Sequence, residues 1–171
     1  MDVEQRISSK QKGDVTESRV VELITLGSLG QLTCYTPKSD DDGIDLIINK
    51  KGDFKPLFIQ VKSRFKLNNR NQFIQNVGLS TFQSHPAFYI IFMQFNQENF
   101  EVECVWLIPS KKFQELAYLK KSGENYKSFY RFSANPFTDG NQWSKYRVLK
   151  EDLGRELLKI MDSEYAGFYF Q

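Results

Sequence analysis

At 171 residues the chain has the length of one domain, enough to bury about 70% of the surface its unfolded form would expose. Hydrophobic residues at 40% and charged residues at 26% are ordinary for a globular protein, with 15 Phe and 8 Tyr as the one excess. A formal charge of +2, from 23 basic and 21 acidic side chains, excludes the strong overall positive field of a nucleic-acid coat protein, so a polyanion must be met by a local patch.

The N-terminal stretch MDVEQRISSKQKGD lacks the apolar segment of a signal peptide, and the longest apolar run, Ala87 to Met93, is too short to span a bilayer. A soluble, cytoplasmic protein with no membrane partner is expected. Cys34 and Cys104 stand far apart in apolar stretches and read as buried thiols of a reducing compartment. Asp14 to Leu26 repeats Val20, Val21, Leu23 and Ile24 at helical spacing and is closed by Gly27 and Gly30. Leu32 to Thr36, Ile44 to Ile48 and Leu57 to Ser63 read as strands, the last two joined by a polar turn over Asn49 to Asp53.

The spacing of Phe73, Ile74, Val77 and Phe82 predicts a helix over Gln72 to Ser84. Ala87 to Phe95 is nearly all apolar, as a strand covered on both faces would be, and Phe100 to Ile108 alternates, with Asn96 to Asn99 as the turn between them. A short helix around Phe113 to Leu119, an aromatic and basic stretch from Tyr126 to Arg147, and an amphipathic helix carrying Leu153, Leu157, Ile160 and Met161 complete the chain. With no repeat or linker, residues 1–171 are expected to form a single α/β domain, a mixed sheet flanked by helices.

The hairpin at Gly52 and Asp53 carries the sharpest inference. A turn centred there pairs residues whose numbers sum to 105, which sets Asp45 opposite Gln60 and diagonal to Lys62, all three on one sheet face. Their neighbours are apolar: Ile44, Leu46, Ile47 and Ile48 on one strand, Leu57, Phe58, Ile59 and Val61 on the other. A buried charge costs several kcal/mol unless it is paired or given to a metal. The bland alternative is an exposed Asp45–Lys62 ion pair contributing roughly 0–1 kcal/mol. Glu17 shares the helical stripe of Val20, Val21 and Ile24; it reads either as an acid favoured by the helix dipole or as a carboxylate that packing brings toward the polar cluster.

The segments Gly-Asp-Val-Thr-Glu ending at Glu17, Asp-Asp-Asp-Gly-Ile-Asp ending at Asp45, and Phe-Ile-Gln-Val-Lys-Ser containing Lys62 together resemble the PD-(D/E)XK nuclease superfamily. The resemblance covers roughly the first 110 residues, with Ile44 in place of the motif Pro and Gln60 in place of the second acid, a Gln-x-Lys variant. It implies a restriction endonuclease-like mixed sheet of core order αβββαβ with additional C-terminal elements. It further implies a metal-dependent DNA endonuclease, with Asp45, Gln60, Lys62 and Glu17 as the catalytic set. Asp45, Gln60, the Val61 carbonyl and Glu17 would hold Mg²⁺ or Mn²⁺ in an oxygen shell, while Lys62 positions water and offsets charge. A catalytically inactive nucleic-acid-binding or assembly module on the same fold is the alternative, with Gln60 as its trace. A soluble interaction protein with an ordinary ion pair is a third.

Other signals are weaker. Asp40, Asp41 and Asp42 lack the spacing of a calcium loop and read as a solvated turn. His85, the one histidine, precedes Pro86 and reads as a loop residue, which excludes a site built on several His. Tyr126, Phe129, Tyr130 and Phe132 read as aromatics on an edge strand that cap the core. Arg64, Lys66, Arg70, Lys127, Arg131, Lys145 and Arg147 are the candidate phosphate contacts to DNA. Cutting both strands with one site per chain would be easiest for a homodimer.

Overall fold

The structure is a computed structural model and describes residues 6–39, 42–124 and 126–163. Helix α1, Ser9–Gly27, begins five residues before the expected start at Asp14. The reason is a capping box: the Gln11 amide donates to the Ser8 hydroxyl at 3.2 Å, and the Ser8 amide donates to the Gln11 side chain at 3.0 Å. Strands β1 (Leu32–Tyr35), β2 (Leu46–Lys50) and β3 (Leu57–Arg64) follow as an antiparallel meander. Leu46 pairs with Ile59, Ile47 with Phe58 and Ile48 with Leu57, the register expected from a turn centred on Gly52 and Asp53. The Asp53 amide closes that turn on the Lys50 carbonyl at 3.0 Å.

Strand β5 (Phe88–Phe95) lies parallel to β3, and β6 (Val102–Pro109) returns antiparallel. With the two-residue β9 (Arg147–Val148) at the far edge, the six-stranded sheet has the order β1-β2-β3-β5-β6-β9. The helix expected over Gln72 to Ser84 is instead strand β4 (Phe73–Gly78) followed by a 3-10 turn, Leu79–Thr81. Phe73 and Val77 are fully buried while Asn76 is exposed, a pleat that a helix would not give. The tertiary partner decides it, because β4 pairs along its whole length with β8 (Phe129–Ala134) from much later in the chain. The core order αβββαβ therefore has a strand and a 3-10 turn where its second helix was expected. With β7 (Tyr118–Lys120), the second sheet has the order β4-β8-β7, so β8 is its central strand and not an edge.

Two layers cover the large sheet. Helices α1 and α3 (Leu153–Ser163) pack on the face that carries Leu57, Ile59 and Val61 of β3. They cross with backbones in contact: a Cβ on Gly154 would lie 2.3 Å from the Ile24 carbonyl oxygen. The small sheet and helix α2 (Ser110–Leu116) cover the other face. Cys34 and Cys104 are free thiols, and burial pushes them up to about 11 and about 12 respectively. No helix among the described residues is long and apolar enough to cross a membrane.

Candidate active site

The site begins where the β2–β3 ladder ends. Asp45 donates its amide to the Ile59 carbonyl at 2.9 Å, and its Oδ2 accepts the Val61 amide at 2.5 Å. A carboxylate thus occupies the place where backbone would otherwise continue the ladder, and its two bonds flank Gln60. Gln60 is 1% exposed, with its Oε1 buried and without a hydrogen-bond partner. Such an acceptor costs about 1–3 kcal/mol when left unsatisfied.

Gln60 is roofed by backbone. Gly43 has φ 66°, and a Cβ there would lie 2.3 Å from the Thr81 carbonyl oxygen and 2.8 Å from Gln60 Nε2. Only glycine supplies both the left-handed conformation and the clearance, so the segment leading into Asp45 is fitted onto Gln60 and the 3-10 turn. Asp42 belongs to this approach, whereas Asp40 and Asp41 of the acidic run lie outside the described residues.

Lys62 is two residues beyond Gln60, and their β5 partners Phe92 and Ile90 belong to the aromatic side of the sheet. Helix α1 packs on the opposite face, so the expectation that its stripe covers the polar cluster needs correction. Glu17 reaches the site around the end of β3. A cleft of about 390 Å³ is lined by Lys12, Glu17, Val61, Lys62, Arg64 and Gln75 among others. The helix is pinned there by Thr16, whose hydroxyl donates to the Lys12 carbonyl at 2.7 Å and lies 2.7 Å from Ser63 Oγ. A threonine hydroxyl has one proton, so Ser63 is the donor to Thr16.

The oxygen donors are split between two places: Glu17 and Val61 line the cleft, whereas Asp45 and Gln60 do not and are held at its edge by the Val61 amide and under Gly43. Asp45 brings a carboxylate, Gln60 an orphaned amide oxygen, Val61 a backbone carbonyl beside the cleft and Glu17 a second carboxylate, all oxygens of the type Mg²⁺ takes. Among the described residues no three His, Cys, Asp or Glu converge as a metal-holding group, so such a set depends on amide and carbonyl oxygens.

The basic residues divide. Arg64 lines the cleft and donates from Nε to the Ile74 carbonyl at 3.0 Å, which ties the end of β3 to β4. Lys66 and Arg70 are exposed on the loop that follows. Lys127 and Arg131 belong to the β7–β8 hairpin and β8. Lys145 and Arg147 are not brought to the cleft, because β9 is separated from β3 by β5 and β6. Arg147 is structural: it donates to the Pro136 carbonyl at 2.9 Å and pairs with Asp139. His85 is a loop residue whose Nδ1 accepts the Ala87 amide at 3.0 Å. Gln75 and Thr81 carry no motif, and Thr16 and Ser63, although they stand inside the motif segments, show no role in the sequence. Gly43, two residues before Asp45, was legible as a turn glycine but not as the roof of Gln60.

No protein-family model matches the chain, and no curated protein is recognisably similar to it in sequence. Its fold is similar to that of a bacterial homing endonuclease, I-Ssp6803I, with a TM-score of 0.58 and 17% sequence identity over 94% of this chain and 99% of that one.

Proposed function

We propose that the chain is a metal-dependent DNA endonuclease of the PD-(D/E)XK kind, with Asp45, Gln60 and Lys62 as its centre and Glu17 beside them. The observation that carries this reading is the buried, unpartnered Oε1 of Gln60 next to a carboxylate already oriented by the Val61 amide. A cation explains why that acceptor is kept; an ordinary ion pair between Asp45 and Lys62 does not. Likeness of fold to a homing endonuclease supports the same substrate class.

Asp45, Gln60 Oε1 and the Val61 carbonyl would hold Mg²⁺ or Mn²⁺, with Glu17 as the acid lining the adjoining cleft. The ion, when bound, supplies Lewis-acid polarisation of the scissile phosphate and a water of lowered pKa. Lys62 orients the attacking water and offsets charge developing on the phosphate oxygens. Arg64, fixed on Ile74, holds a neighbouring phosphate. Two chains acting together would cut both strands of a duplex.

Plasmid, single-stranded and branched DNA incubated with Mg²⁺, Mn²⁺ or chelator tests the activity. Asp45→Ala and Lys62→Ala should each lower the cleavage rate by about 10²-fold or more with an unchanged circular dichroism spectrum. Gln60→Glu should tighten Mg²⁺ binding in a calorimetric titration and keep cleavage, since a charged oxygen attracts a hard cation more strongly than a neutral one. Absence of metal binding in both wild type and Gln60→Glu sinks the proposal. The presence of Gln60 where the motif has an acid favours a second reading, an inactive DNA-binding module. Metal binding by Gln60→Glu without cleavage would select it.

A further inference from the structure

The outward face of the small sheet has no part in the chemistry above, and its composition is unlike the rest of the surface. Cross-strand partners point the same way, so the register places Asn76 of β4, Phe129 and Arg131 of β8, and Tyr118 and Lys120 of β7 on that one face. Their neighbours Tyr130 and Phe132 turn inward and are buried. Tyr118 is 66% exposed and Tyr126, in the β7–β8 hairpin, 43%. The cations sit over rings: Lys120 Nζ lies 4.5 Å from the Tyr126 centroid and the Arg131 guanidinium 5.3 Å from that of Phe129. Arg131 Nε also donates to Asn76 Oδ1 at 3.1 Å, leaving the terminal nitrogens of its fork for another acceptor.

Charge is segregated here although the whole chain is nearly neutral. From Phe54 to Gln97 the sequence carries Lys55, Lys62, Arg64, Lys66 and Arg70 and no acid. From Tyr118 to Thr138 it carries Lys120, Lys121, Lys127 and Arg131 against Glu124 alone. Strand β4 also links this face to the cleft: Gln75, on the opposite face of the strand from Asn76, lines the cleft, and the Ile74 carbonyl holds Arg64.

We infer that this face reads duplex DNA in the major groove, with β4 and β8 as the inserted ribbon. The inference rests on the endonuclease reading for its substrate and adds the surface that selects it. A major groove about 12 Å wide admits a two-stranded ribbon, and β4 and β8 are two paired strands of 6 residues each. Arg131 and Asn76 have the side chains that pair bidentately with guanine and adenine edges. Lys120, Lys121 and Lys127, at the β7 side, lie on the flanking phosphates, and a duplex so placed carries its backbone along β4 toward Lys62.

The test is selection of bound duplexes from a randomised library in chelator, so that cleavage is not required. Wild type should recover a consensus, and the double variant Asn76→Ala/Arg131→Ala should lose preference at one or two base pairs and bind the wild-type consensus about 10- to 100-fold more weakly. Arg131→Lys, which keeps the charge and the fold but not the fork, should lose the same preference with an unchanged salt dependence. Lys120→Gln/Lys127→Gln should weaken all duplexes alike and reduce the log–log salt slope by about 1.8. A consensus unchanged in the Asn76/Arg131 and Arg131→Lys variants overturns the inference, as does wild-type binding that prefers single-stranded DNA or RNA. Selection of a consensus by a wild type that does not cleave in Mg²⁺ removes the endonuclease reading and leaves this one standing; cleavage with selection indifferent to Asn76 and Arg131 does the reverse.

Discussion

The two faces of the six-stranded sheet are built from different residues. Toward α1 and α3 the core is mainly aliphatic, with Val20, Ile24, Leu46, Ile48, Ile59, Ile91, Leu153 and Leu157, and its aromatics are Phe65, Tyr89 and Phe95. Toward the small sheet it is aromatic, with Phe73, Phe92, Trp106, Phe113, Phe132 and Trp143. A helix brings its own branched side chains down to a sheet. Two sheets instead stand about 10 Å apart and must fill the gap from both pleats. Phe92 stacked on Phe132, centroids 4.0 Å apart and planes at 6°, is that filling. The aromatic core on this side is thus a consequence of the second sheet, and Gln60 and Lys62 interrupt the aromatic face where a glycine roof, not a ring, covers Gln60.

Each face can be broken separately. Phe132→Ala should cost about 3–5 kcal/mol by denaturant unfolding. Hydrogen exchange should show the loss of protection concentrated in β4, β7 and β8, and a loss spread evenly over β1 and β2 would mean that the faces are one cooperative core. Gly154→Ala acts from the other side, since its Cβ would also meet the Ser28 amide nitrogen at 2.5 Å. Overpacking there should cost about 1–3 kcal/mol, with protection lost in α1 and α3 and the small sheet unaffected.

Alkaline pH acts on both faces at once. Cys34 packs against the aliphatic core and Cys104 lies in the aromatic one. Both thiols keep their protons in the fold up to about 11 and about 12, from an ordinary value of 9.0. The unfolded chain releases them first, so their contribution is fully present below about pH 9 and is lost as pH climbs toward 11 to 12. Cys104→Ala should flatten the fall of unfolding free energy in that window, and an unchanged slope would show that the thiol does not contribute.

What could be read from the chain alone was local. Alternation across a tight polar turn set the register of β2 against β3, and the continuous apolar run of β5 announced burial on both faces. The misread element, β4, has Phe73, Ile74 and Val77 at spacings that suit either period, and only the arrival of β8 decides between them. The face on which α1 packs was misread for a related reason: a helical stripe shows that a helix packs on a sheet, but not on which face. Thr16 and Ser63, which fix the helix against β3, are 47 positions apart and have no pattern in common.

The β2–β3 turn also acts as a parity gate for how this fold can vary. Asp45 reaches the Val61 amide because the residues between them form two antiparallel arms of matched length about Gly52 and Asp53. Lengthening the turn by an even number of residues can leave the arms aligned and the carboxylate beside its partner. A single inserted or deleted residue that shifts β2 along β3 sends every side chain of β2 to the other face, which moves Asp45 to the helix side and exchanges Leu46 and Ile48 for Ile47 in the aliphatic core. Length variants of this hairpin that keep the site intact should therefore differ by steps of two.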